Sequence, residues 1–176
     1  MIKDSGNRLE FDSGAVRDIQ EGKGRCDLLP LKVIGDIYDT FSSIGDNTGD
    51  VLRGIESYQH TGNTDHLVGA LVDFLNSDNS PFADASDMFL EVAIHFEEGA
   101  RKYGEYNWQK GINTSRYISS AVRHYLKWLR GDKDEPHERA FVWNIVCCIW
   151  TSENRPECED YTTKDEYCSY GERKND

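Results

Sequence analysis

The ten residues Phe141-Val-Trp-Asn144-Ile-Val-Cys-Cys-Ile-Trp150 constrain the fold more than any other stretch, because every one of them except Asn144 is apolar. A helix that is apolar on all sides must be enclosed by other elements, and ten residues are too few to span a bilayer. The chain therefore needs companion helices around this one. A buried amide at Asn144 in turn needs hydrogen-bond partners. His137 lies two turns earlier on nearly the same face, so the pair either closes a structural hydrogen bond or faces a polar pocket together.

Two helices are expected just upstream. The first runs from about Ala85 to Tyr103, with Asp84 or Ser86 as N-cap and Gly104 as the stop. Phe89, Val92, Ala93 and Phe96 recur at three and four and form its expected buried stripe. Glu91, His95 and Glu98 stand on one line down the helix, which is either a charged outer face or an acidic wall of a site. The second helix is capped by Thr114 or Ser115 and ends at Gly131. Its apolar face is Ile118, Ala121, Val122, Tyr125, Leu126 and Leu129. Opposite lie Arg116, Ser120, Arg123, His124, Lys127 and Arg130, a basic stripe without an acid in a chain of net charge −12. Such a stripe is either solvated or a rail for phosphate oxygens, to which Arg and Lys give charge-assisted bonds.

Two connections carry further candidates. Between the helices, Gly104–Thr114 holds Asn107-Trp108 among tyrosines and glycines, with Lys102 and Lys110 flanking. Trp108 either plugs the gap between helices or offers a platform for a base. Downstream, Asp132-Lys-Asp134-Glu135-Pro136-His137 is a short acidic turn, with Pro136 suited to the start of the next helix.

The remaining chain is less informative. Residues 1–24 are polar and Gly-rich; Arg17, Lys23 and Arg25 among glycines could close over a triphosphate, although disorder is the simpler reading. The spacing of a Walker A loop is absent. From Leu31 to Tyr58 two short helices are expected, and Asp65 opens a third with Leu67, Val68, Leu71, Val72, Phe74 and Leu75 buried. Period-two alternation and internal repeats are missing, so the class is all-α. The polar stretch 154–176 is expected to pack loosely or stay disordered.

At 176 residues the chain is one ordinary domain with room for a real core. Its acidic balance argues against general nucleic-acid binding, which needs a basic surface. Five cysteines with no CxxC imply neither a disulfide framework nor a zinc site. Together with an N-terminus lacking an apolar core segment, they point to a soluble cytoplasmic protein with no membrane partner.

Several stretches in order resemble one family. They are Gly14-Ala-Val-Arg17-Asp18; Gly22-Lys23-x-Arg25-x-Asp27-Leu-x-Pro30; Lys102-Tyr-Gly104-x-x-Asn107-Trp108-x-Lys110-Gly111-Ile112; Arg123-His124-x-Leu-Lys127; and Pro136-His137 with Asn144. Together they resemble the phage dATP/dGTP diphosphohydrolases, which are related to the MazG-like all-α nucleoside triphosphate pyrophosphohydrolases. The resemblance covers roughly residues 10–30 and 86–150. It implies a helical bundle of MazG-like type with a short irregular N-terminal arm. The corresponding division is an arm at 1–30, a helical insertion at 31–84, a catalytic core at 85–153 and a tail at 154–176. It further implies Mg²⁺- or Mn²⁺-dependent hydrolysis of a purine deoxynucleoside triphosphate to monophosphate and pyrophosphate, in phage nucleotide-pool control, by a dimer or tetramer.

The MazG-like acidic pairs, Glu-x-x-Glu and Glu-x-x-Asp, are not intact here; His95-x-x-Glu98 could stand in for the first, and 137–150 offers no replacement for the second. In their place Glu91, Glu98, Asp134 and Glu135 are the expected metal ligands, since hard divalent ions take oxygen donors. Arg17, Lys23, Arg25, Lys102, Arg123 and Lys127 are expected to hold phosphates, and Asn107, Trp108 and Asn144 to contact the base. His124 or His137 would orient water or move a proton. The acids of the first helix are expected to face the basic stripe of the second across a shared cavity. The alternative is a non-catalytic helical module that binds nucleotide or a partner. A triphosphate-releasing HD-type enzyme is disfavoured, because the chain contains no His-Asp dipeptide.

Overall fold

The computed structural model describes residues 7–18 and 48–161. Lys23, Arg25, the helix expected before residue 45 and the tail beyond 161 lie outside these residues. Among them the fold is five helices and one small hairpin, which bears out the all-α class with a short arm. The helices are α1 (Thr48–Thr61), α2 (Asp65–Asn76), α3 (Ala85–Tyr103), α4 (Thr114–Arg130) and α5 (His137–Asn154). No helix here is long and apolar enough to cross a membrane.

The helix carrying the apolar run, α5, is the hub. It packs along α4, takes α3 on a second side and meets α2, while α1 and α2 pair with each other. Phe141, Val142, Ile145, Cys147 and Cys148 are fully buried, as enclosure of an all-apolar helix requires. Burial pushes both thiols above their usual range, so they behave as small core residues rather than nucleophiles.

Residues 65–76 are part of this core, not an appendage. Phe74 of α2 is fully buried, with edge-to-face contacts to Phe82, Tyr125, Trp128 and Phe141 at centroid distances of 6.1, 5.8, 5.0 and 4.9 Å. From α1, the Tyr58 hydroxyl donates to Glu159 at 2.7 Å and lies 2.5 Å from Ser152 Oγ. Val68 and Val72, expected inside, are about half exposed.

Three local expectations need correction. Helix α3 has the expected bounds, and Asp84 accepts from the Asp87 N–H at 2.9 Å as its cap. Its buried line, however, is Met88, Val92 and His95, while Phe89, Leu90 and Ile94 are exposed. Apolar residues occupy so much of this helix's circumference that periodicity alone permits either face, and docking on α5 selects one.

Neither Thr114 nor Ser115 caps its own helix. Asp160 reaches back to accept from Ser115 N at 2.9 Å and Ser115 Oγ at 2.6 Å, and Glu159 accepts from Thr114 Oγ1 at 2.8 Å. Carboxylates so placed also favour the positive end of the α4 dipole. Residues 156–161 are consequently tied down rather than loose. Gly111, at φ +112°, allows the close approach: a Cβ there would lie 3.1 Å from Cys158 Sγ.

The arm is ordered where it is described. Strands β1 (Arg8–Glu10) and β2 (Val16–Asp18) pair antiparallel, with Leu9 opposite Arg17. The connection closes with Gly14 donating to the Phe11 carbonyl at 2.8 Å. Asn107 holds this hairpin against the bundle like an extra strand residue. Its Oδ1 accepts from Val16 N at 3.1 Å and its Nδ2 donates to Val16 O at 2.9 Å.

Candidate active site

The acidic turn brings the end of α4 and the start of α5 together around two histidines. His124 Nδ1 lies 3.0 Å from His137 Nδ1, and His137 Nε2 lies 2.8 Å from Asp134 Oδ1. Glu135 Oε1 is 3.8 Å from His124 Nδ1 and 3.7 Å from His137 Nδ1. Lys127 reaches Asp134 at 3.4 Å, and Arg130 pairs with Asp132. Gly131, at φ +83°, ends α4 and permits the sharp reversal that delivers these acids.

Hydrogen-bond logic orders the protons. In the tautomer that donates from His137 Nε2 to the Asp134 carboxylate, His137 Nδ1 is an acceptor. His124 must then donate from Nδ1, and its Nε2 keeps an unshared lone pair. Burial, with the positive charges of Arg123 and Lys127 adding, holds the His124 imidazole well below its usual range and so neutral. The result is a neutral imidazole linked to a carboxylate two hydrogen bonds away.

The donor set also fits a divalent cation. His124, Glu135 and His137, and separately Asp132, Asp134 and His137, place ligand atoms within 4.8 Å of one another. Carboxylates with imidazole and no thiolate suit Mn²⁺, and the carboxylates alone suit Mg²⁺.

Glu91 and Glu98 are not in either group. They turn to Arg139 of α5, Glu98 at 3.0 Å and Glu91 at 3.6 Å. The acids of α3 therefore face a guanidinium of α5 and not the basic stripe of α4. Only 6% of Arg139 is exposed, and a guanidinium so deeply buried demands carboxylate partners. Sequence reasoning passed over Arg139; its signal was a lone cation two residues ahead of the apolar run.

The basic stripe is met by other groups. Arg116 donates to the Asp18 carbonyl at 3.4 Å and Arg123 to Ser120 Oγ at 2.9 Å. Lys102 lies 3.3 Å from Asp18, whose carboxylate also binds Arg8 at 3.1 Å and the Tyr103 hydroxyl at 2.9 Å. Arg17 donates to Asn144 Oδ1 at 2.7 Å and lies 5.1 Å over the Tyr117 ring. Asn144 gives its own N–H to Ala140 O at 2.8 Å. The hydrogen bond expected at Asn144 thus comes from the arm and not from His137. Trp108 sits between Phe96 and Trp150, with ring centroids at 5.4 and 5.0 Å, where it plugs the helix gap. Both polar atoms of Asn107 are engaged by Val16.

His95 is buried against Trp143, centroids 5.3 Å apart. Burial, then the charges of Arg139 and Arg17, push it down to about 3. It is neutral in the fold, whereas the unfolded chain protonates near 6.5. Its contribution to stability is therefore whole above pH 6.5 and is lost as pH falls from there toward 3, by up to about 1.4 kcal/mol per pH unit. Urea midpoints measured from pH 7.5 to 5 should fall, and His95→Phe should flatten that slope. An unchanged slope would assign acid sensitivity elsewhere.

Comparison with known proteins adds one finding. Residues 82–161, which hold α3, α4, α5 and the Asp160 cap, match the family model described as dATP/dGTP diphosphohydrolase, N-terminal. Comparison with curated proteins and with solved structures finds no match. Over residues 82–161 the chain is thus similar to the N-terminal part of the dATP/dGTP diphosphohydrolases, a family of nucleoside triphosphate diphosphohydrolases.

Proposed function

We propose that the protein hydrolyses dATP or dGTP to the monophosphate and pyrophosphate with Mg²⁺ or Mn²⁺, controlling a deoxynucleotide pool during phage replication. The observation that supports this reading best is the Asp134–His137–His124 chain, set among carboxylates and beside Lys127 and Arg123. Water adds to the α-phosphorus, and the bond from that phosphorus to the oxygen bridging toward the β-phosphorus breaks. The water proton passes to His124 Nε2, and pyrophosphate departs. Asp134 and Glu135 would hold the cation, which when bound lowers the pKa of water and neutralises phosphate charge. Lys127 and Arg123 bind phosphate oxygens, which a chain of net charge −12 would otherwise repel.

A single assay tests this. dATP and dGTP are incubated with Mg²⁺, Mn²⁺ or EDTA, and the products are separated chromatographically. The expected products are dAMP or dGMP with pyrophosphate, and only with metal. Glu135→Gln should lower metal affinity about 10- to 100-fold, measured by titrating Mn²⁺ against turnover. Nucleotide binding without pyrophosphate release would instead make the chain a non-catalytic binding module, and triphosphate release would move cleavage to the other side of the α-phosphorus.

A further inference from the structure

The histidine pair can hold a second kind of ion, and doing so undoes the proton order that hydrolysis uses. His124 Nδ1, His137 Nδ1 and Glu135 Oε1 form a triangle with sides of 3.0, 3.8 and 3.7 Å. The point equidistant from its corners lies about 2 Å from each, the bond length of a zinc-class ion to imidazole nitrogen or carboxylate oxygen. His137 is fully buried, and its other ring nitrogen meets Asp134 at 2.8 Å, the carboxylate brace that orients a ligating imidazole. Glu135 and His124 are partly exposed, so the triangle opens to solvent at that edge.

Only one ring has to change for an ion to enter. His137 Nδ1 is already an acceptor when Nε2 donates to Asp134. The proton on His124 Nδ1 moves to Nε2 of the same ring, and the ion takes the place of that hydrogen between the two imidazoles. Both rings stay neutral. Two nitrogen donors in three disfavour Mg²⁺, which keeps oxygen ligands and water. Mn²⁺ is the weakest binder of the first-row series at a nitrogen-containing site, so a later ion displaces it.

We infer that His124, Glu135 and His137 form an inhibitory site for a late transition ion of the zinc class. With its proton on Nε2, His124 can no longer accept one from water. Glu135 is at the same time withdrawn from the cation that supports hydrolysis. The inference rests on the nucleotide-hydrolase reading and deepens it by naming how the same residues are switched off.

The test reads the ion before it reads turnover. The full chain is stripped with EDTA, freed of chelator and titrated with Co²⁺ alone while visible absorption is recorded. One equivalent should give ligand-field bands, which Zn²⁺ abolishes and Mg²⁺ leaves in place. His124→Gln and Glu135→Gln should each weaken Co²⁺ binding about 10-fold or more, with thermal melts showing both variants folded. Protein loaded with Zn²⁺ and desalted should release pyrophosphate from dGTP with Mg²⁺ about 10²-fold more slowly or worse, the share of a positioned base. Stripping the zinc with EDTA and adding fresh Mg²⁺ should restore the rate. Absent bands, or folded variants that bind Co²⁺ as the wild type does, overturn the site. A zinc-loaded chain that works at the unloaded rate or faster overturns its inhibitory role. A chain that releases no pyrophosphate with Mg²⁺ or Mn²⁺, yet binds Co²⁺ through these residues, overturns the proposed function and keeps the ion site.

Discussion

Turnover of dGTP is expected to fall by about 10²- to 10⁴-fold when His124 is replaced by glutamine, the range that a positioned general base contributes. The expectation follows from the proton order around the turn. Asp134 accepts from His137 Nε2, His137 Nδ1 faces His124 Nδ1 at 3.0 Å, and the lone pair left over is on His124 Nε2. Glutamine keeps a hydrogen-bonding head of similar reach but cannot take a proton near neutrality. Because the loss concerns a step and not a contact, kcat should drop while KM changes little. Asp134→Asn should act in the same direction, since an amide facing His137 Nε2 can present an N–H and reverse the tautomers of both rings. Rapid-quench measurement of pyrophosphate release separates the chemical step from product release. Full activity in His124→Gln would return the histidine pair to a structural role.

The second large effect is on stability. Phe74→Ala should cost about 3–5 kcal/mol, the range for truncating a fully enclosed phenylalanine. Against a typical folding stability of about 5–15 kcal/mol, that is a large fraction. The reason is that Phe74 touches aromatic rings from α4, α5 and the segment before α3 at once. Urea denaturation followed by near-ultraviolet circular dichroism would report it through the surrounding rings. Were residues 31–84 an insertion folding apart from the rest, the variant would lose helix α2 while the transition of 85–161 stayed in place. A single, shifted transition is the expected result.

Much of the architecture was legible from residue order. The apolar run in α5 required enclosure, and Gly104 and Gly131 marked the ends of α3 and α4. Glycine reads well because a terminus with positive φ is a local requirement, satisfied by one residue's own conformation. The candidate site was legible where its members are close in sequence. His124, Lys127, Asp134, Glu135 and His137 span one helix end, one turn and one helix start, so spacing alone brings them together.

What residue order left open was which helix meets which. Glu91 and Glu98 were read as metal ligands facing α4, but α3 docks on α5, and buried Arg139 takes both carboxylates. Asn107 and Trp108 look like a ligand platform in a loop rich in turn residues; in the fold one pins the arm and the other fills a gap. The Asp160 cap on α4 and the Arg17–Asn144 bond join residues 45 and 127 positions apart.

The sequence by itself therefore determined the helices, the central position of the last one and the histidine–carboxylate cluster around the acidic turn. These rest on periodicity and on short-range geometry that one residue or one turn enforces. Only the tertiary structure decided that α2 belongs to the core, which face of α3 is inside and where its two glutamates find their partner. Those outcomes follow from competition among several faces of similar apolar content, and the buried guanidinium of Arg139 settled the last of them.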